Sequence, residues 1–308
     1  MTIPVALAFI PDYAAPGLDR SVARVLEAAE ISVTPGTRVL VKPNLVHATN
    51  AANCTTHPEV VRAACVWLLD HGATVSVADS PGYGPAHRVA RASGLEAALR
   101  PLGIKINTLG DPVRLSLSDG TGIGVSRHAL EADMLLNMPK LKAHGQMVMS
   151  GAVKNLFGCV VGCRKALAHS RMGHDPQRFR AIILDVCLAL PQAVHLMDGI
   201  RVLHKDGPVR GEAFPLGLLG AARNGVALDT AAYSIFGLGP DAMPLWAEAS
   251  DRQLEGSAPH VIRYPLEAPT SFNTTGFEYA APKELSFAPL RLLRGRMKSL
   301  LAFIKRPG

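Results

Sequence analysis

The feature that most constrains the fold is a repeated order of a short apolar run, a polar segment and a helix-like stretch. Residues 38–41, 74–78, 134–138 and 193–197 are apolar runs typical of buried strands, and helical patterns follow from Pro58 and from Ala86. Strands that alternate with helices rejoin one sheet in the same direction. The sequence therefore predicts an α/β fold of Rossmann-like type, a largely parallel sheet with helices on both faces.

The helix expected from Pro58 carries the clearest local signals. Thr56 and Glu59 have the spacing of a capping box, and an apolar stripe follows at helical period. His71 and Gly72 are expected to end this helix, because glycine accepts the left-handed conformation found after a helix.

The alternation stops near residue 240, which divides the chain into two parts. We expect residues 1–240 to form the α/β domain and residues 241–308 to form an irregular covering segment that ends in a basic amphipathic helix. Residues 290–304 place leucine, isoleucine and methionine on one face of that helix and arginine and lysine off it. Docking on the body is the favoured interpretation, and contact with a membrane surface or a partner is the alternative.

Composition bounds the class of protein. Of the 308 residues, 48% are hydrophobic and 19% are charged, so a folded core is expected. No run approaches the roughly 18–20 apolar residues of a membrane span, and the amino terminus lacks the basic region of a signal peptide. Five scattered cysteines do not form a disulfide framework, which favours a cytoplasmic location.

The basic balance of the chain limits the partners. A net charge of +7 suits nucleic acid, anionic lipid or a small anionic substrate. Aromatic residues are only 5%, and no basic stripe is interleaved with them as in single-strand binders. A small anion is therefore the expected partner, nucleic acid is not, and a homo-oligomer is an open alternative.

Polar residues follow the predicted strands at the point where each ends. These segments are KPN at 42–44, DSPGYG at 79–84, PKLKAH at 139–144 and DG at 198–199. Ligands of open parallel sheets bind outside the carboxyl ends of the strands. We expect all four segments to meet at one edge of the sheet.

Lysine and histidine are concentrated in residues 140–169, beside apolar sequence. Buried lysine needs a partner, and a carboxylate or phosphate would supply it, whereas Lys140 is expected to be the most solvated lysine of the group. We expect proton transfer by His144, His169 and Lys142. We expect binding of the anion by Lys42, Asn44, Lys154, Asn155 and Lys165.

Two kinds of metal site are alternatives to a metal-free site. A divalent ion would be held by His144, His169, Asp198 and Glu212. Cys159 and Cys163 would belong to an iron–sulfur centre, but two thiolates are too few for a cluster within one chain. No Walker loop, dinucleotide fingerprint or nucleophile elbow is present in the sequence, so no nucleotide cofactor is predicted.

Taken in order, several motifs resemble the family catalogued as domain of unknown function 362. They are VLVKPNLV at 39–46, TTHPEVV at 55–61, PKLKAH at 139–144, GAVKNLFGC at 151–159, Lys165 with His169, DGIRVLHKDGPVRGE at 198–212 and ALDTAAYSIFGL at 227–238. Many members of that family look like fusion proteins that also contain an iron–sulfur ferredoxin module. This chain lacks the run of cysteines that such a module has. The chain also resembles, in architecture and in a site rich in lysine and histidine, the amino-terminal half of the nickel-dependent lactate racemase family.

These observations lead to one favoured function and two alternatives. The favoured function is an enzyme, of isomerase or lyase type or dependent on a metal, that acts on a small carboxylate or phosphate at the carboxyl edge of the sheet. The first alternative is a redox or accessory protein that binds a metal or cluster through Cys159 and its neighbours. The second is an interaction protein that uses the basic tail.

Overall fold

A computed structural model of the chain describes residues 2–82, 84–161 and 175–282. The strands are β1 (Ile3–Phe9), β2 (Arg38–Pro43), β3 (Thr74–Asp79), β4 (Ile106–Thr108), β5 (Pro112–Ser116), β6 (Gly122–Ser126), β7 (Met134–Met138), β8 (Lys140–His144), β9 (Val148–Ser150), β10 (Ala193–His204), β11 (Glu212–Phe214), β12 (Leu218–Ala222) and β13 (Ile262–Arg263). The helices are α1 (Leu18–Ala28), α2 (Ala51–Cys54), α3 (Pro58–Asp70), α4 (Ala86–Ser93), α5 (Leu95–Leu99), α6 (Arg127–Glu131), α7 (Ala152–Leu156), α8 (Pro176–Leu188), α9 (Gly225–Ser234) and α10 (Pro244–Asp251).

The main sheet has the order β13-β1-β12-β10-β7-β2-β3-β4. Strands β10, β7, β2, β3 and β4 run parallel to one another, and β8 pairs parallel with the later part of β10. The fold is therefore α/β with a mixed, mostly parallel sheet, as the alternation predicts. β12 runs antiparallel to both β10 and β1, and the short strands β9 and β11 pair antiparallel with β8 and β10. No helix separates β10 from β12, so the chain returns without the crossover that a parallel strand requires.

Helices cover both faces of the sheet. In β2, Val39 and Val41 pack on the face that carries α1 and α3, whereas Leu40 packs on the face that carries α8. In β1, Ala6 and Leu7 likewise contact opposite layers, Leu7 facing the apolar residues of α9. Strands buried on both faces explain the continuous apolar runs of the sequence.

Two polar segments expected as loops are strands instead. The residues after β7 form β8, which pairs with β10 and β9, so Lys140, Lys142 and His144 lie in the sheet. The run expected to end at Met197 continues to His204, and Asp198 lies inside β10 rather than after it. Lys42 and Asp79 end β2 and β3 as expected.

The helix starts and stops agree in part with the prediction. α3 begins at Pro58 and ends before His71 and Gly72, but its cap is the His57 side chain, which accepts a hydrogen bond from Glu59 N at 3.3 Å. The capping-box prediction is wrong because the Thr56 hydroxyl donates to Met138 O at 2.7 Å and ties the helix start to β7. The helix expected over residues 86–99 is two helices, since Gly94 has a φ of 85° between them.

The segment after residue 240 adds to the same body. α10 packs against α8 and α9, and β13 extends the sheet beyond β1. The boundary expected at residue 240 stays a prediction, and the expected helix at 290–304 lies outside the described residues. Among the residues that the structure describes, no helix is both long enough and apolar enough to cross a membrane.

Candidate functional site

The carboxyl ends of β2 and β3 hold a buried ion pair. Lys42 Nζ lies 2.7 Å from Asp79 Oδ1, and both side chains are almost fully buried. The second oxygen of Asp79 accepts a hydrogen bond from Leu45 N at 2.8 Å. The charge of Lys42 is therefore balanced within the protein, which makes it a structural cation as well as a predicted binding residue.

A second buried ion pair joins β8 to β10. Lys140 Nζ lies 2.9 Å from Asp198 Oδ2 and 2.6 Å from the Tyr13 hydroxyl, which donates to Asp198 Oδ1 at 2.8 Å. Asp198 also accepts from His57 N at 2.8 Å, and the Tyr13 ring stacks on the His57 ring at 3.6 Å. Burial and the Asp198 charge raise the pKa of Tyr13, so it stays protonated. Lys140 is only 2% exposed, so the expectation that it is solvated is wrong.

Two further lysines lie near these pairs without a carboxylate of their own. Lys142 Nζ donates to Asn44 Oδ1 and, at 2.9 Å, to the carbonyl of Cys54. Burial, with a smaller contribution from the charge of Lys154, lowers the pKa of Lys142 to about 7. Burial alone lowers the pKa of Lys154 to about 8. Among the described residues, neither ammonium forms an ion pair, in contrast to Lys42 and Lys140.

A chain of hydrogen-bonded side-chain amides fixes the orientation of Asn44, to which Lys142 donates. Asn44 Nδ2 donates to Asn155 Oδ1 at 2.7 Å, and Asn155 Nδ2 donates to Asn137 Oδ1 at 2.7 Å. Asn137 Nδ2 lies 2.9 Å from His195 Nδ1. Burial lowers the pKa of His195 to about 3, so its ring is neutral and Nδ1 can accept this bond. Every amide then has one orientation, with the oxygen of Asn44 turned to Lys142.

The helix α7, which carries Lys154 and Asn155, is held in place at its first turn. Asp229 accepts hydrogen bonds from Ala152 N and Val153 N, the latter at 3.0 Å. Burial raises the pKa of Asp229 to about 7, against the effect of these two bonds. The carboxylate thereby positions α7, and with it Lys154 and Asn155, over the end of the sheet.

Gly158 is the point at which the chain after α7 passes closest to the first ion pair. A Cβ at this position would overlap the buried end of Lys42 and lie 3.0 Å from Asp79 Oδ1. Neither partner can move away, because both side chains are held in the ion pair. The close approach therefore requires glycine here.

We expect Gly158→Ala to lower the free energy of unfolding by on the order of 1–2 kcal/mol, because the added methyl group overpacks the ion pair. Urea denaturation of the variant would measure this change. Gly110→Ala is the matched control, since no atom lies within 4 Å of a Cβ there. Equal stability of the two variants would contradict the close packing.

The remaining predicted residues either have other contacts or lie outside the described part of the chain. His144 ends β8, and its Nδ1 accepts from Gln146 N at 3.1 Å. Cys159 is buried in the apolar layer with α8. Lys165, His169 and Cys163 lie outside the described residues.

The predicted metal ligands are engaged in other contacts where the structure describes them. Asp198 pairs with Lys140, and Glu212 forms an exposed ion pair with Lys205 at 2.8 Å. Across residues 2–82, 84–161 and 175–282, no three His, Cys, Asp or Glu side chains form a group that could hold a metal ion.

Sequence reasoning missed four residues of the site. Asn137 and His195 each interrupt a strand that is otherwise apolar, which was an available signal for a buried polar contact. Tyr13 and Cys54 carry no comparable signal, because they reach the lysines through the tertiary fold.

Part of the chain is similar in structure to two solved proteins. The lactate racemase apoprotein from Thermoanaerobacterium thermosaccharolyticum has 14% identity and a TM-score of 0.46, with 73% of this chain and 55% of that chain covered. A protein from Thermotoga maritima has 12% identity and a TM-score of 0.41, with 68% of this chain and 55% of that chain covered. The chain thus spans about half the length of these two structures.

Comparison of sequences identifies the family. A thylakoid-associated protein from Synechocystis sp. is 34% identical over 281 residues, which cover 89% of this chain and 87% of the relative. The profile described as Domain of unknown function (DUF362) matches residues 39–234, more than half of the chain. The chain belongs to the DUF362 family.

Proposed function

We propose that the protein is an enzyme whose active site binds a small carboxylate or phosphate between Lys142 and Lys154. The observation that carries the proposal is the contrast among four neighbouring lysines. Lys42 and Lys140 each have a buried aspartate, whereas the ammonium groups of Lys142 and Lys154 have none among the described residues.

The contrast matters because an uncompensated buried cation is costly. Removal of an ammonium group from water disfavours its charged form, and a second cation nearby adds repulsion. Carboxylates of the protein lower that cost at Lys42 and Lys140. No carboxylate among the described residues forms an ion pair with Lys142 or Lys154. An anion that binds between them would supply the missing negative charge.

The neighbouring groups suit an anion with a further polar group. Asn44 and Asn155 are fixed by the amide chain, so their orientation needs no rearrangement when a ligand arrives. Lys154 would hold the anion. Lys142, whose pKa is about 7, would give or take a proton near neutral pH, as an isomerase or lyase requires.

Thermal unfolding with anions tests the binding site. We expect phosphate, acetate, lactate or pyruvate at a concentration well above its dissociation constant to raise the melting temperature by several degrees, since a ligand at about 100 times that constant adds about 2.7 kcal/mol. Sodium chloride at equal ionic strength is the control for screening.

Lys154→Ala should remove most of this response, because a hydrogen bond to a charged group contributes about 1.5–3 kcal/mol. Lys105→Ala is the matched control, since Lys105 is an exposed lysine just before β4, at the end of the sheet order and separated by β7, β2 and β3 from β8's partner β10, and should leave the response intact. The proposal is lost if no anion shifts the melt beyond sodium chloride, or if both variants respond like the unaltered protein.

A further inference from the structure

The amine of Lys142 is held in a defined position by the protein. Its Nζ donates to two acceptors, Asn44 Oδ1 and the Cys54 carbonyl. The oxygen of Asn44 cannot exchange places with its amide nitrogen, because that nitrogen donates to Asn155. A neutral amine has two N–H groups, so two fixed acceptors leave its lone pair directed away from both.

The charged groups around Lys142 favour the neutral amine on this residue rather than on its neighbour. Cys54, Lys154, Lys140 and Asp79 are the titratable groups that act on it. Lys140 and Asp79 are each bound to an opposite charge. Lys154 is not, and its charge opposes protonation of Lys142. Lys142 is 2% exposed whereas Lys154 is partly exposed, so burial favours the neutral amine at Lys142 more strongly than at Lys154.

A desolvated lysine beside a second cation is the arrangement that activates an amine as a nucleophile. We propose that Lys142 attacks the carbonyl carbon of a small 2-oxo acid to form a Schiff base, and that Lys154 holds the carboxylate of the same substrate. This inference rests on the proposed function and names its substrate class.

The step is balanced without an oxidant or a metal. The Nζ lone pair of Lys142 forms a bond to the carbonyl carbon as the C=O π bond breaks, and the carbonyl oxygen takes the proton that Nζ releases, which gives a neutral carbinolamine. Loss of that hydroxyl group as water, with a second proton, leaves an iminium ion. The iminium withdraws electrons from the carbon adjacent to it, which permits loss of a proton there to give an enamine. Burial of Lys142, which is 2% exposed, limits hydrolysis of the imine by bulk water.

Reductive trapping tests the inference directly. The full-length protein is incubated with pyruvate or glyoxylate and sodium cyanoborohydride, which converts an imine to a stable secondary amine. Peptide mass spectrometry then locates the adduct. We expect labelling of Lys142 about tenfold or more above that of exposed Lys105, since a pKa near 7 leaves far more neutral amine than an ordinary lysine has.

Two comparisons separate a specific site from general reactivity. Acetaldehyde, a carbonyl compound without a carboxylate, should label Lys142 much more slowly than pyruvate does. Lys154→Ala should slow labelling by pyruvate but not by acetaldehyde. This variant keeps Lys142, whose replacement would remove the contacts to Asn44 and Cys54.

The outcomes distinguish this inference from the proposed function. Preferential labelling of Lys142 that depends on Lys154 supports it. Labelling of Lys154 instead, labelling no faster than at Lys105, or no adduct at all would overturn it. If anions still raise the melting temperature in that case, the binding site stands and only the covalent step is wrong.

Discussion

Replacement of Asp198 with alanine is expected to lower the free energy of unfolding by about 3–5 kcal/mol, the usual cost of removing one partner from a buried ion pair. Asp198 is fully buried and accepts from Lys140, the Tyr13 hydroxyl and the backbone of His57. Alanine would leave the Lys140 ammonium buried beside a phenol without an opposite charge. Urea denaturation at pH 7 would measure the loss.

Asp133→Ala is the matched control for this variant. Asp133 also forms an ion pair at 2.7 Å, with Arg38, but both side chains are largely exposed. Solvent screens such a pair, so little change in stability is expected. A double variant, Lys140→Met with Asp198→Leu, should regain only part of the loss, because it removes both charges but leaves the Tyr13 hydroxyl and His57 N without their acceptor. Equal effects of Asp198→Ala and Asp133→Ala would refute the structural role of the buried pair.

The parallel part of the fold could be predicted because its strands are short apolar runs separated by helical patterns. Residues 134–138 form β7 within the predicted bounds, and α3 begins at Pro58 as predicted. The antiparallel β12 could not be predicted in the same way. An apolar run looks the same in either direction, and only the absence of a crossover helix before it marks the reversal.

The strand β8 shows why the site was harder to predict than the fold. Its polar residues Lys140, Lys142 and His144 alternate with the apolar residues Leu141 and Ala143, which is the period of a strand. The polar positions suggested a loop at the ligand-binding edge of the sheet, because lysine is rarely buried without a partner. In the folded chain those positions face buried partners that come from distant segments, so the loop prediction was wrong.

The pairing of lysines with aspartates also depends on tertiary structure. Lys140 finds Asp198 through the pairing of β8 with β10, and Lys42 finds Asp79 through adjacent β2 and β3. From the sequence, Lys140 was expected to be the most solvated of the predicted lysines. No sequence feature indicated which of the lysines would lack a carboxylate partner. That distinction, on which the proposed function rests, required the packed arrangement of four strands.

The second large effect expected is a gain in stability from Lys154→Met, together with loss of the anion response. The ammonium group of Lys154 has no hydrogen-bond partner among the described residues, so methionine removes the charge without leaving an acceptor unsatisfied. The pKa falls from 10.5 to about 8 on folding. Since one pKa unit corresponds to about 1.4 kcal/mol, folding with the charged side chain costs about 2–3 kcal/mol when its partial exposure is considered.

The pH dependence of this gain gives the sharper test. The folded protein binds fewer protons at Lys154 than the unfolded chain between about pH 8 and 10.5, so stability of the unaltered protein rises with pH across that range. The advantage of Lys154→Met should therefore be full below about pH 8 and disappear above about pH 10.5. Denaturant titrations of both proteins from pH 7 to 11 would show this convergence. A variant that is less stable than the unaltered protein at pH 7 without added anion would mean that Lys154 is compensated within the protein, and the proposal of an anion between Lys142 and Lys154 would then lose its physical basis.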